Sequence, residues 1–207
     1  MIVSFFDFSG NMLKPWAAAG HKCVAFDIAH CGWNPVDMGG VLYVKKDILR
    51  WKDWWYKYAS LGKVEFASFF PPCTDVAVSG AKHFKGKGLG KLIEALRLFK
   101  ASVDLAETLN CPYIIENPVS TVSTYWRKPD YIFHPWYFAG YLGGENDTYP
   151  KKTCLWTGGG FVMPDRKCRE QTDNRIHLMP PSDERARMRS ETPMGFAQAV
   201  YASNRRQ

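Results

Sequence analysis

VEFASFFPPC, at residues 64–73, is an apolar run that ends in two prolines and a cysteine. Its length and aromatic content are typical of a buried strand. Pro71 and Pro72 end that strand, because each proline fixes its backbone and removes a sheet donor. Cys73 is therefore predicted at the carboxyl end of a strand, where open α/β sheets place their chemistry. Two roles are open for a thiol there, a nucleophile or an inert buried side chain.

Strand and helix patterns alternate around this segment. This alternation predicts an α/β fold with a doubly wound, mostly parallel sheet that is covered on both faces. The strands expected, in chain order, are Ile2–Phe6, Lys22–Asp27, Val41–Lys45, Val64–Phe70, Pro112–Glu116 and Thr153–Trp156. The helices expected are Asn11–Ala19, Leu49–Leu61, one of about twenty residues that begins near Leu89, and Met194–Ser203, which Thr192 caps before Pro193. A loop is expected from Lys82 to Lys91.

Length and charge limit the kind of protein. The 207 residues fit one domain, 1–207, with a cofactor and catalytic core at 1–118, a small substrate-side region at 119–193 and a C-terminal helix at 194–207. The formal charge is 27 − 20 = +7 and the pI is about 9.1, which favours a polyanionic partner such as nucleic acid. No apolar stretch has the length of a membrane span, and the amino terminus resembles a strand rather than a signal peptide.

The six cysteines form no Cys-x-x-Cys pair, which is typical of reduced thiols in a cytoplasmic protein, and we predict no metal site.

The first motif joins the first strand to the first helix and contains Asp7-Phe8-Ser9-Gly10-Asn11. A small glycine-containing turn lets a ligand approach the backbone and the start of a helix. The turn lacks the Gly-x-Gly-x-x-Gly signature, which disfavours a dinucleotide. Asp27 closes the second strand, where an acid typically binds ribose hydroxyls, and Asp47 follows the third strand and could contact an adenine amine. Each acid alone fits a solvated strand end, whereas together they outline a nucleoside-cofactor pocket.

Two further motifs follow the next pair of strands. Pro71-Pro72-Cys73-Thr74-Asp75 is followed by Ser79-Gly80, and Ile115-Glu116-Asn117-Pro118 ends the later strand. A thiol and a carboxylate at neighbouring strand ends can act on one substrate from two sides. The alternative for Glu116 is a structural cap.

Taken in order, Asp7-Phe8-Ser9-Gly10, Pro72-Cys73 and Glu116-Asn117 resemble the cofactor loop, nucleophile loop and Glu-Asn motif of the DNA cytosine-5 methyltransferases. With Lys151-Lys152-Thr153-Cys154-Leu155-Trp156 the chain is similar to compact methylase-like proteins of phages. The resemblance runs from about Ile2 to Trp156, and the segment from Thr192 to Asn204 is a weaker match.

The resemblance implies a Rossmann-like methyltransferase fold with S-adenosylmethionine as cofactor. It implies that Cys73 adds to carbon 6 of cytosine while Glu116, followed by Asn117, binds ring nitrogen 3 and the amino group. The paired arginines of the family are not evident, and Lys152 is the substitute that we expect. The cofactor residues implied are Asp7, Phe8, Ser9, Gly10, Asn11, Asp27, Ile28, Asp47, Ile48 and Pro71.

The resemblance leaves the substrate open. Thr74 stands where the family has glutamine, and the chain has little room for a target-recognition domain. DNA, a free cytosine nucleotide, or DNA read with a protein partner are all compatible, as is a silent DNA-binding module. The basic loop is either a mobile flap on phosphates or a solvated linker. The substrate-side residues expected are Pro72, Thr74, Ser79, Lys82, His83, Lys85 and Lys87.

Overall fold

An eight-stranded mixed sheet forms the centre of the computed structural model, which describes residues 1–32, 34–143, 147–171, 182 and 189–205. The order of the strands across the sheet is β3-β4-β2-β1-β5-β6-β8-β7. In chain order the strands are β1 (Ile2–Phe5), β2 (Cys23–Asp27), β3 (Val36–Met38), β4 (Val41–Lys45), β5 (Phe66–Phe69), β6 (Tyr113–Pro118), β7 (Tyr131–Phe133) and β8 (Thr153–Gly158).

The five central strands are parallel and the outer ones depart from that direction. Neighbouring pairs from β4 through β2, β1 and β5 to β6 are all parallel. At one edge β3 is antiparallel to β4, because only Gly39 and Gly40, both with positive φ, connect the two strands. At the other edge β8 is antiparallel to both β6 and β7. The prediction of a mostly parallel sheet is therefore confirmed for the centre of the sheet.

Helices cover both faces of the sheet. The described helices are α1 (Lys14–Ala18), α2 (Trp51–Ala59), α3 (Phe84–Leu109), α4 (Val122–Tyr125) and α5 (Met194–Asn204), with 3-10 turns at Ile48–Arg50, Val78–His83, Pro135–Tyr137 and Ala139–Tyr141. On one face Trp54 of α2 and Phe99 of α3 pack into a core with Phe5. On the other face Trp16 of α1 and Phe196 of α5 pack with Ile2. In the described part of the chain no helix is both long and apolar enough to cross a membrane.

The predicted loop from Lys82 to Lys91 is wrong, since this segment is helical. A 3-10 turn at Val78–His83 leads directly into α3, which is kinked at Gly88, where φ is 77° and ψ is 172°. The other glycines of the segment have open space around them, and a helix tolerates each at a cost of about 1 kcal/mol. Glycine content therefore marks a bend in a helix here and not a loop.

The start of α5 also differs from the prediction. Pro193 stands at the N-cap position, and Thr192 makes no capping bond. The Asp147 carboxylate instead accepts from the backbone N–H of Gly195 at 2.6 Å. Because Asp147 lies 48 positions earlier in the chain, no local pattern around Thr192 could indicate this cap. The first helix is shorter than predicted too, because residues 11–13 form a turn before α1.

The connections reverse direction at β1. From β1 the chain builds β2 and β4 on one side of it, and then returns to place β5 on the other side. In open α/β sheets the carboxyl ends of two strands at such a reversal border a crevice in which ligands bind. This topology places the crevice between the segments that follow β1 and β5.

Candidate active site

The turn after β1 is shaped by Asp7, which is buried. Its carboxylate accepts from the backbone N–H of Gly10 at 2.8 Å, from the Ser9 hydroxyl at 3.1 Å and from the Ser4 hydroxyl at 2.8 Å. Burial raises the pKa of Asp7, and these hydrogen bonds oppose that rise. Both carboxylate oxygens are thus used within the protein. Asp7 holds the turn in shape and leaves ligand contact to the groups around it.

The same turn requires glycine at position 10. Gly10 has a φ of 64°, and a Cβ there would collide with the hydroxyl group of Tyr43, which donates to the Ser9 carbonyl at 3.1 Å. Phe6 also has a positive φ, 56°, which is rare for a bulky residue. Strained backbone conformations of this kind cluster at functional sites. The turn leaves the Phe8 ring 56% exposed at the crevice.

Asp27 and Asp47 lie at the carboxyl ends of β2 and β4, on the same side of the sheet as the turn after β1. One oxygen of Asp27 accepts from the backbone N–H of Ala29 at 2.8 Å, and no described residue bonds to the other. The charge of Asp27 contributes to the raised pKa of Asp7. Asp47 accepts from the N–H of Leu49 at 2.9 Å and starts a 3-10 turn. Ile48 is buried in the core.

This edge fits a nucleoside ligand. A glycine turn offers close backbone approach, and Asp27 keeps one acceptor oxygen for hydroxyl groups. Phe8 and Ile28 present exposed apolar side chains beside it. Asn11 is turned away from the crevice, since its amide donates to the Thr192 carbonyl at 3.2 Å.

The loop that carries Cys73 (the thiol loop, residues 70–77) is held by backbone hydrogen bonds. The Cys73 carbonyl accepts from the N–H groups of Val76 and Ala77 at 3.1 and 2.8 Å. The segment after β6 then pairs with it, because Val78 donates to the Val119 carbonyl and Thr121 donates to the Val76 carbonyl, each at 2.9 Å. These bonds hold the loop and its half-buried thiol in place.

Asn117 joins the two strand ends directly. Its side-chain amide donates to the carbonyl of Pro71 at 2.9 Å, and the residue is fully buried. Since Pro71 lies two positions before Cys73, this bond sets the height of the thiol relative to Glu116. Asn117 is therefore placed as a positioning residue within the site.

Glu116 lies in this site with an unsatisfied acceptor. Its side chain is 15% exposed, the Nζ of Lys151 lies 3.8 Å from its Oε1, and no described group donates a hydrogen bond to that oxygen. Burial raises the pKa of Glu116, while the Lys151 ammonium opposes the rise. The raised pKa favours the protonated carboxyl, and that form can donate a hydrogen bond to a ligand.

The Cys73 thiol and Glu116 influence each other. Burial is the largest cause that raises the pKa of Cys73, and the charge of Glu116 raises it further. The charges of Lys151 and Arg189 lower it. The sequence prediction that a thiol and a carboxyl meet at neighbouring strand ends agrees with this arrangement.

The lysine beside Glu116 is Lys151, whereas the sequence prediction was Lys152. Alternate residues of a strand face opposite sides, so Lys151 shares a side with Thr153 and Leu155, which pairs with Glu116. Lys152 falls on the other side and is exposed. The sequence alone does not separate the two lysines, because the pairing of Leu155 with Glu116 decides which side of the strand faces the carboxyl.

A cavity of about 10 Å³, large enough for one water molecule, adjoins Glu116. Lys151, Thr153 and Phe133 line it from the sheet, and residues 190–193 cover it from the C-terminal side.

The predicted substrate-side residues divide into two groups. Lys87 contacts the thiol loop, since its ammonium donates to Asp75 at 2.7 Å and to the Thr74 carbonyl at 2.8 Å. The others are exposed, and they are Pro72, Thr74, Ser79, Lys82, His83 and Lys85. Within the described ranges, no three His, Cys, Asp or Glu side chains come together as a metal site requires.

No family model matches the chain, and no curated protein matches it in sequence. A solved structure that resembles it is that of a proposed DNA modification methyltransferase encoded within a prophage (E. coli), at 13% sequence identity and a TM-score of 0.46. The match covers 76% of this chain and 45% of that one, so this chain spans under half of that protein. The functional assignment therefore depends on the residues of the site.

Proposed function

We propose that this protein is an S-adenosylmethionine-dependent methyltransferase that methylates carbon 5 of cytosine in DNA through a covalent adduct of Cys73. The observation that supports this most is the pairing of Cys73 with Glu116 on adjacent strands, joined through the bond from Asn117 to Pro71. The pair lies beside a glycine turn and an acid at the reversal point of the sheet, where a nucleoside cofactor fits.

Carbon 5 of cytosine is a poor nucleophile and must first be activated. In our proposal the Cys73 thiolate forms a bond to carbon 6, and the displaced electron pair makes carbon 5 enamine-like. Glu116, with its raised pKa, donates to ring nitrogen 3 and accepts from the amino group, which stabilises the charge on the ring. After methylation, loss of the carbon 5 proton to a base re-forms the double bond and expels the thiolate.

Lys151 takes the role that the missing arginines would have. Its ammonium lies 3.8 Å from Glu116 and lowers the pKa of the Cys73 thiol. It can therefore hold the Glu116 carboxyl in place and stabilise the thiolate when it forms.

S-adenosylmethionine, when bound, supplies the electrophilic methyl group. Asp27 has the free acceptor oxygen for the ribose hydroxyls, and the exposed Phe8 and Ile28 side chains suit the apolar surface of the nucleoside. The Gly10 turn allows the ligand to approach the backbone.

DNA is the substrate that the charge favours. Lys82 and Lys85 are exposed beside the thiol loop, and no ion pair occupies them in the described part of the chain. A cytosine in a duplex would have to leave the stack, at a cost of roughly a few kcal/mol. Phosphate contacts from these lysines can offset part of this cost.

The test uses S-adenosylmethionine labelled in its methyl group, with duplex DNA, single-stranded DNA, RNA and cytosine nucleotides as separate acceptors. We expect label at carbon 5 of cytosine in DNA, and a persistent protein–DNA adduct when the DNA contains 5-fluorocytosine, because fluorine cannot leave as a cation. Transfer to free nucleotides alone would favour the nucleotide alternative. Binding to DNA without transfer to any acceptor would leave only a binding module.

Cys73→Ser should abolish both the transfer and the adduct, since the hydroxyl is a far weaker nucleophile. Cys168→Ser is the matched control, because Cys168 is an exposed free cysteine outside the site. Full activity in Cys73→Ser would overturn the covalent mechanism.

A further inference from the structure

His30 is a buried residue whose ring has an unsatisfied nitrogen. It follows β2 by three positions and is 5% exposed. Its Nδ1 lies 3.1 Å from the backbone carbonyl of Val44, whereas its Nε2 is buried and has no hydrogen-bond partner among the described residues. Buried polar atoms without a partner are uncommon in native proteins, and each one calls for an explanation.

The first contact fixes the chemistry of the second nitrogen. A carbonyl only accepts hydrogen bonds, so Nδ1 carries the hydrogen and donates it to Val44. In the neutral ring Nε2 is then an acceptor with a free lone pair. The two nitrogens lie on different edges of the imidazole, and the edge with Nε2 is turned away from the Val44 carbonyl.

In the part of the chain that the structure describes, the surroundings of the ring offer Nε2 no partner. The Phe8 ring lies 5.7 Å from the His30 ring between centroids, and the Tyr43 ring lies 5.2 Å away and edge-on. The Tyr43 hydroxyl is already used, because it donates to the Ser9 carbonyl. A bridging water would need two or more polar partners, which these aromatic faces do not supply.

The position of His30 connects it to the ligand crevice. Phe8 belongs to the turn after β1, Val44 belongs to β4, and His30 follows β2, so the ring lies where the ends of three neighbouring strands meet. Asp27, with its free carboxylate oxygen, is three residues away along the chain. Phe8 is the exposed neighbour of the ring and lies between it and solvent-facing ligand space in the proposal that follows.

We propose that His30 is a nucleoside-binding residue whose Nε2 accepts a hydrogen bond from a hydroxyl or amino group of the bound nucleoside once the Phe8 ring moves aside. This inference rests on the proposed cofactor site. It adds a residue that the motifs around Asp7, Asp27 and Asp47 do not include, and it assigns to Phe8 the role of a cover that the ligand displaces.

The test separates the two nitrogens with two substitutions. His30→Asn keeps a donor near the position of Nδ1 and removes Nε2. His30→Gln places a polar atom near the position of Nε2 and loses the inward donor. His21→Asn is the matched control, because His21 lies before the amino end of β2, whereas the proposed site lies at the carboxyl ends of the strands.

Two quantities are measured, the thermal midpoint of the ligand-free protein and the Kd for S-adenosylmethionine by calorimetry. We expect His30→Asn to melt like the wild type and to bind about five- to tenfold more weakly, the loss of one hydrogen bond. His30→Gln should bind better than His30→Asn and melt at a lower temperature. His21→Asn should bind like the wild type.

Ligand analogues identify the donor. An analogue with a 2′-deoxyribose and another with a dimethylated adenine amine are titrated into the wild type and into His30→Asn. For the analogue that lacks the donor, the two proteins should bind equally. Wild-type affinity in His30→Asn would overturn the role of His30 and leave the proposed function standing. If the wild type binds no S-adenosylmethionine, the proposed function fails and this inference fails with it.

Discussion

Burial and three charged side chains set the pKa of the Cys73 thiol. Glu116 opposes the thiolate, whereas Lys151 and Arg189 favour it, and burial disfavours it most of all. Burial and the Glu116 charge both raise the pKa of the thiol, so a proton on Glu116 removes one of the two causes that disfavour the thiolate. This arrangement links the activation of the nucleophile to the protonation of its partner.

Peptide-resolved alkylation of Cys73 by iodoacetamide across pH tests this linkage. Lys151→Met should shift the rate profile to higher pH, because it removes a charge that lowers the thiol pKa. Glu116→Gln should shift it to lower pH, because it removes a charge that raises that pKa. Lys152→Met is the matched control and should leave the profile unchanged. A shift in Lys152→Met of the size seen in Lys151→Met would contradict the assignment.

At the residue scale, the sequence predicted the meeting of Cys73 and Glu116 because each follows or ends an apolar strand. It did not predict Lys151, because the choice between adjacent lysines depends on the register of β8, which only the assembled sheet fixes. It gave no indication of His30. That side chain becomes significant only once Phe8 and Val44 enclose it.

At the scale of elements, α3 begins against the thiol loop. Lys87 bonds to Asp75 and to the Thr74 carbonyl in the last turn before the kink at Gly88. The first turn of α3 is thus joined to the loop, and the rest of the helix packs on the sheet through Phe99 and Leu105. The kink lets one helix serve both contacts.

Gly88→Ala should destabilise the protein by about 1–3 kcal/mol, because its backbone conformation is one that residues with a Cβ rarely adopt. Gly86→Ala and Gly90→Ala are matched controls in the same segment, with negative φ and open space, and each should stabilise the protein by about 0.5–1 kcal/mol. Urea unfolding measures all three. A Gly88→Ala protein as stable as the wild type would show that the kink is not required.

The errors in the predicted elements have two physical causes, short strands and contacts that are distant in sequence. β3 and β7 are three-residue edge strands, too short for an alternating pattern to stand out. Val41–Lys45 was predicted with its observed bounds because its apolar run directly follows the turn at Gly39 and Gly40. The segment from Lys82 to Lys91 was mistaken for a loop, since contacts with Asp75 outweigh its local glycine content.

At the scale of the molecule, the sheet divides the site into two halves. In the proposed function, the ends of β4, β2 and β1 form the nucleoside side, and the ends of β5 and β6 carry the thiol and the carboxyl. The reacting groups of both ligands would thus meet above β1 and β5. Lys82 and Lys85, which form no ion pair within the described residues, lie on the thiol side, where we propose that a nucleic acid approaches.

Salt dependence of duplex binding tests this face. The affinity should fall steeply with salt, and Lys82→Gln and Lys85→Gln should each reduce the slope of log K against log salt by about 1. Lys57→Gln is the control, because Lys57 lies in the last turn of α2 and not in the segment that carries Lys82 and Lys85. Fluorescence anisotropy with a labelled duplex provides the measurement. An equal loss of slope in the control would indicate general charge attraction without a dedicated face.

The bond from Asn117 to Pro71 has a consequence for motion. Together with the pairing of Val78 with Val119 and of Thr121 with Val76, it merges the thiol loop with the end of β6 into one cooperative unit. Local unfolding cannot free the loop alone, because the strand end must open with it. We therefore expect Cys73 to be locally as stable as the strand end to which its loop is joined.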